Sequence, residues 1–291
     1  MAVYQHSYQA YRGVLTSSWT RILVIVRYAF AEAWSSKITA ALFTLCLLPC
    51  IVSLIGIYLA NNPLARALLG NQGPRLLTID ARFFLHYQEL QSWLALLLAA
   101  WIAPRLISFD LADNALPILL SHPISRFGYV SGKFIALFAS LSLVTWVPGL
   151  LLFSYQGYSS TGHWAADNLR IAIGLLAGAL IWIAFLSLLG LALSAWVRWR
   201  VVATGIIVAA VFVPAGIGAI VSGVLRTKWG FLLNVPVMMS SLWQRMLGAP
   251  QIIMEKISLP TGAIAAMLML IGCVCILMLH VRIRAREVVR G

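Results

Sequence analysis

Residues 169–224 read "LRIAIGLLAGALIWIAFLSLLGLALSAWVRWRVVATGIIVAAVFVPAGIGAIVSGV". Two apolar runs, each longer than the roughly 20 residues a helix needs to cross bilayer hydrocarbon, flank the tight basic turn "WVRWR". This is a hairpin of two membrane-spanning helices, and it decides the fold class. Four further segments qualify, so the predicted spans are 38–59, 90–109, 134–156, 169–196, 201–224 and 260–280. The second is the weakest, because Pro104 and Arg105 are expected to break it or carry it out of the membrane. Composition agrees: 62% of residues are hydrophobic and 10% charged, against about 25% charged in soluble domains. The expected fold is all-α and polytopic, a single membrane domain over 1–291 with spans one to five within 38–224.

The net charge of +13 would suit a nucleic-acid partner in a soluble protein, but no single basic face is evident. In a membrane protein it fits Lys and Arg gathered in cytoplasmic connections. With the N-terminus inside, thirteen of the 21 basic residues fall on the cytoplasmic side, including the "WVRWR" turn and the basic tail 281–291. Both termini are therefore expected in the cytoplasm. The first apolar run, 22–26, is too short for the about 7 residues of a signal-peptide core, so insertion is expected to use the first span.

Residues 18–37 precede that span. Trp19, Ile22, Leu23, Val26, Phe30, Ala33 and Trp34 recur at helical spacing, with Arg21, Tyr28, Glu32 and Ser35 opposite and Arg27 in the same segment. The pattern predicts an amphipathic helix along the cytoplasmic interface. The connections 60–89 and 225–259 are long. The second, broken by Pro236, Gly248 and Pro250, predicts short re-entrant or interfacial helices on the outer side. Its methionines, Met238, Met239, Met246 and Met254, read as packing residues rather than soft-metal ligands.

Little in the chain points to chemistry. None of the predicted spans has a carboxylate, Lys or His near its centre, which argues against an ion-coupled carrier or a proton relay. The five histidines are scattered, which argues against an intramembrane haem. Cys46, Cys50, Cys273 and Cys275 lie inside apolar runs and read as small hydrophobes, although Cys46 and Cys50 share a helix face on which a metal pair is conceivable. Asp110 and Asp113 share a face at i, i+3 and read as solvated. Gly174 and Gly178 form a small-xxx-small stripe that serves either an interface between chains or internal packing.

Residues 116–134, "LPILLSHPISRFGYVSGKF", raise the question of a nucleotide. A Walker A loop needs two glycines separated by four residues, then Lys, then Ser or Thr. Gly128 and Gly132 are separated by three residues, and Phe134 occupies the hydroxyl position. No catalytic, cofactor or metal residue is assigned to this chain, and ATP chemistry in it is not expected.

The same stretch closely resembles the cytoplasmic loop of membrane subunits of ATP-binding cassette (ABC) transporters of the type 2 permease family. In that family an acidic residue after a broken second span, a short apolar helix and a Leu-Leu-Ser-x-Pro-Ile-Ser-Arg pattern lead through an aromatic residue to Gly-Lys at the next span. This chain supplies Leu119, Leu120, Ser121, Pro123, Ile124, Ser125, Arg126, Tyr129, Gly132 and Lys133, with Asp110 or Asp113 as the acidic residue and Leu116 in the apolar stretch. The resemblance implies a permease subunit pairing with two separate ABC ATPase subunits, which carry the ATP and Mg, and with a second permease subunit, expected as a homodimer. It implies that loop 110–133 is a coupling helix docking on the ATPase, with helix 18–37 as a second contact. By resemblance the membrane is the bacterial inner membrane and the transport is export of a hydrophobic or amphipathic compound. The alternative from another class is a non-transporting membrane scaffold or assembly factor whose loop docks some other protein.

Overall fold

A computed structural model describes residues 17–64, 78–112, 125–160, 162–197, 199–250 and 259–282. In chain order the helices are α1 (Ser18–Trp34), α2 (Lys37–Asn61), α3 (Ala81–Ala112), α4 (Arg126–Ser142), α5 (Trp146–Ser159), α6 (Trp164–Asp167), α7 (Leu169–Ser194) and α8 (Arg200–Leu225). A 3-10 turn (Trp229–Leu233), α9 (Val235–Leu247) and α10 (Thr261–Arg282) follow. Every regular element among the described residues is helical. Six segments are long and apolar enough to cross a membrane: α2, the Ala81–Ser108 part of α3, α4 with α5, α7, α8 and α10. Alternating crossings bring the start of α2, the end of α3, the start of α4, the end of α7 and the end of α10 to one end of the bundle, called proximal below.

Helices α3 and α7 form the centre and run in the same direction. Trp182 Nε1 donates to the Ser92 carbonyl at 3.1 Å, and farther along Ser108 Oγ donates to the Ser194 carbonyl at 3.1 Å. Small residues make this possible: Ala95, Ala99 and Ala103 repeat every fourth position of α3 and are fully buried, as are Ser187 and Ser194 of α7. Burial separates this centre from the periphery. Inside the bundle, 67% of the α3 window is buried, against 17% for each of α2, α8 and α10. Leu48, Ile51 and Val52 on α2, Phe212, Val213 and Ile220 on α8, and Met269, Leu270 and Leu277 on α10 are exposed. Such contiguous apolar faces are what a lipid-facing helix presents.

Two spans differ from expectation. The second begins at Ala81, upstream of residue 90, and passes unbroken through Pro104. Proline removes one helical hydrogen bond, but Ile102, Ala103, Leu106 and Ile107 are buried on both sides of it and packing holds the helix together. The earlier start also places Glu89 inside the span.

The third span is two helices separated by the turn at 143–145. Pro148 has no N–H to give the Val144 carbonyl four residues back, so that acceptor is orphaned in an apolar setting. Gln91 of α3, 2% exposed, replaces the missing donor: its amide donates to the Val144 carbonyl and, at 3.0 Å, to the Cys46 carbonyl of α2. One side chain thereby ties three spans at the break. Replacing it in Gln91→Leu strands buried carbonyls and is expected to cost about 1–3 kcal/mol. A thermal unfolding midpoint in detergent equal to wild type would show that the amide does not hold the break.

The segment between α8 and α10 folds into short helices, as predicted. Asn234 caps α9 by accepting from the Val237 N–H at 3.1 Å, and Pro236 sits in the first turn, where its missing N–H costs nothing. Gly248 ends the helix with φ 73°, and Arg170 binds the last carbonyls, those of Arg245 at 2.6 Å and Met246 at 3.2 Å. Helix α9 lies on α7 because that face of α7 is bare. A Cβ on Gly178 would stand 2.6 Å from both Gln88 Nε2 and Trp243 Cδ1, and one on Gly174 would stand 3.0 Å from the α9 backbone. The Gly174–Gly178 stripe therefore serves packing within the chain. Met238 and Met239 are fully buried in the same layer.

Candidate functional site: the ion cluster at the root of the 113–124 loop

The loop segment 113–124 lies outside the described residues, and with it the predicted sites Asp113, Leu116, Leu119, Leu120, Ser121, Pro123 and Ile124. Both of its roots are described. On the far side Ser125 is the N-cap of α4, its hydroxyl accepting from the Gly128 N–H at 3.0 Å, so the helix starts at Arg126. Arg126 and Phe127 are exposed there. On the near side α3 runs on to Ala112 and carries Asp110.

Asp110 is not the solvated residue its spacing suggested. Its side chain is 16% exposed, and its Oδ2 takes an ion pair from Lys133 Nζ at 3.0 Å and a hydrogen bond from the Tyr129 hydroxyl at 2.6 Å. Lys133 and Tyr129 stand one turn apart on α4, where positions i and i+4 share a face. Lys133 is 7% exposed and reaches a second carboxylate, Glu32 of α1, at 3.6 Å. Three helices thus meet on one buried cation, and a third partner, the Tyr129 ring, lies 5.8 Å from it.

The N-terminal helix is placed by the same residues. Contacts between Ile22 and Gly128, Ile25 and Gly132, and Trp34 and Ser140 advance together, so α1 runs beside α4 in the same direction. Gly132 makes the approach possible: a Cβ there would stand 2.6 Å from Ile25 Cγ2 and 2.9 Å from Ile25 Cβ. A Gly-Lys pair at this point therefore has a physical meaning. The glycine admits α1, and the next residue holds it electrostatically.

The faces predicted for α1 need one correction. The buried seam holds Ala29 and Ala33, with Ile22, Ile25 and Glu32 half-buried beside them, while Trp19, Leu23 and Tyr28 are exposed. Glu32 belongs to the packed side because Lys133 is there to receive it. Arg27 is exposed, Arg21 half-buried, and Trp34 packs edge-on against Phe43 of α2 at 4.7 Å. Burial lifts the Glu32 carboxyl above its ordinary value; Lys133 opposes this and Asp110 adds to it. The fold therefore binds that proton more tightly than the unfolded chain does. Its stabilising contribution is largest below the ordinary glutamate range and falls as pH rises through the raised value.

Nothing in this cluster resembles a reaction centre. It has no nucleophile with a base, and among the described residues no three metal-ligating side chains come together. The Cys46 thiol donates to the Leu94 carbonyl at 3.7 Å. What the arrangement can do is mechanical. A force applied to the loop reaches the end of α3, the start of α4 and α1 together, because their shared charges cannot separate without exposing one of them unpaired.

A family model described as ABC-2 family transporter protein matches residues 30–280, from the end of α1 to the end of α10. The chain belongs to the ABC-2 transporter family. This permease is an integral membrane protein and a transport component rather than an ATPase, and its family works with ABC ATPase partners. A search among curated proteins finds no match. The predicted residues of the permease thus divide into two groups. Asp110, Tyr129, Lys133 and Glu32 come together, while Arg126 stays exposed at the surface. Three contributors were missed by sequence reading: Ile25, Ala29 and the packing role of Gly132. The glycine immediately before a lysine, nearly two turns into α4, was their only legible sign.

Proposed function

We propose that the permease exports a hydrophobic or amphipathic compound with ATP and Mg bound and hydrolysed in two separate ATPase subunits, working as a pair of identical chains in a bacterial inner membrane. In this reading the proximal end and both termini are cytoplasmic, and the loop 110–133 is the coupling element that docks on the ATPase. The observation that carries it is the Glu32–Lys133–Asp110 cluster, which fixes both roots of the loop and α1 to one another. Closure of the ATPase pair on ATP moves the loop helices, and a rigid root passes that motion to α3 and α4. The arrangement shifts between inward and outward openings only as far as the ATPase binds the two states differently.

The test is co-expression with the candidate ATPase, followed by copurification and hydrolysis in lipid. Wild type should copurify and show membrane-stimulated hydrolysis. Arg126→Glu and Leu119→Pro should lose one or both while the permease alone remains monodisperse. Loop variants that behave like wild type, or an ATPase that never associates, would leave a docking scaffold as the better reading.

A further inference from the structure

At the opposite end of the bundle, a cavity of about 220 Å³ opens between α3, α7 and α9, lined by Glu89, Trp93, Trp182, Met239, Ser240 and Trp243. Glu89 stands eight residues into α3, about 12 Å along its axis, and about 32 Å from Asp110 on the same helix. Its side chain is 30% exposed, and a carboxylate within a span is seldom present without a partner. Its charge is not balanced by Lys or Arg among the described residues. His86 Nδ1 lies 3.5 Å from Oε2, and the Ser240 hydroxyl donates to Oε1 at 2.5 Å.

Four of the polar hydrogens in the wall are already used, that of Ser240 on Glu89 among them. Trp182 Nε1 donates to the Ser92 carbonyl and Trp243 Nε1 to the Gly178 carbonyl, each at 3.1 Å, while Ser92 Oγ donates to the Glu89 carbonyl at 2.6 Å. The two indoles therefore give the cavity ring surface and not N–H groups. They stand edge to face at 86° with centroids 6.0 Å apart, and Trp93 is held by stacking on Phe212 at 5.4 Å. Aromatic faces around one carboxylate attract a cation with apolar substituents, through the ring quadrupoles and the negative charge together. An anion finds no donor from these four groups.

The geometry points to this cavity as a binding site for a small organic ammonium ion, with Glu89 as counter-ion and Trp93, Trp182 and Trp243 as its cage. This names a substrate class for the transport reading above and rests on it. Binding needs no ATPase, so the two can fail separately. The permease is placed alone in nanodiscs, and equilibrium binding of choline is compared with 3,3-dimethylbutan-1-ol, its uncharged carbon isostere. Choline should bind saturably and about tenfold or more tighter, about 1.4 kcal/mol that the Glu89 charge and the ring faces supply together. Glu89→Gln should abolish most of that preference and Glu89→Asp should keep it. Trp93→Leu should weaken choline more than the alcohol. Equal binding of the two probes, no saturable choline binding by wild type, or a preference that survives Glu89→Gln in folded protein would overturn the assignment.

Discussion

Lys133→Met is expected to have the largest single effect on this permease. The variant keeps the length and apolar stem of the side chain but leaves Asp110, 16% exposed, without its cation and, among the described residues, with the Tyr129 hydroxyl as its hydrogen-bond partner. Removing one partner of a buried ion pair costs about 3–5 kcal/mol, most of it the penalty of the stranded charge. The expected results are a lowered unfolding midpoint for the chain alone and loss of ATPase stimulation in the complex. The double variant Lys133→Met with Asp110→Asn should recover most of the stability, because it removes the stranded charge, yet it should not recover coupling. Glu32→Gln should be close to neutral or stabilising, since burial already disfavours its charged form. A single Lys133→Met variant as stable and as active as wild type would show that the cluster holds nothing together.

Gly132→Ala is the second large effect, and it acts through shape rather than charge. The added methyl would stand 2.6 Å from Ile25 Cγ2 and 2.9 Å from Ile25 Cβ, and a β-branched side chain has no free rotamer through which to retreat. Helix α1 must therefore move away from α4, at about 1–3 kcal/mol of overpacking strain. That movement also lengthens the Glu32–Lys133 pair. A cross-link between cysteines placed at Ile22 and Phe127 should form in wild type and fall in Gly132→Ala, with copurification of the ATPase reduced in parallel. Unchanged cross-linking would mean that α1 absorbs the methyl locally.

Much of this architecture was legible in the residues. Six runs of apolar sequence longer than a bilayer is thick have few alternatives to helices, because hydrocarbon offers no partner for an unpaired backbone. The short helices before α10 were legible for a similar reason, since Asn234, Pro236 and Gly248 are local signals whose effect needs no distant partner. The loop pattern pointed to the family, which the match over 30–280 shows, and it singled out Tyr129 and Lys133 but left Asp110 and Asp113 as alternatives.

The sequence by itself therefore determined the number of spans and their alternating directions, since each follows from hydrophobic length. Only the tertiary structure decided what the polar residues inside those spans are for. Whether Asp110 faces water or a lysine, whether Glu32 lies outside or within a seam, and whether Gln91 supplies the donor Pro148 lacks depend on helices far apart in sequence. Glu89 shows the same limit: its place inside a span was hidden by a helix that begins earlier than its hydropathy suggests, and its tryptophan neighbours come from α7 and α9. Periodicity fixes which side of one helix a residue occupies. It carries no information about which helix stands opposite, and for a buried charge that neighbour settles both its cost and its use.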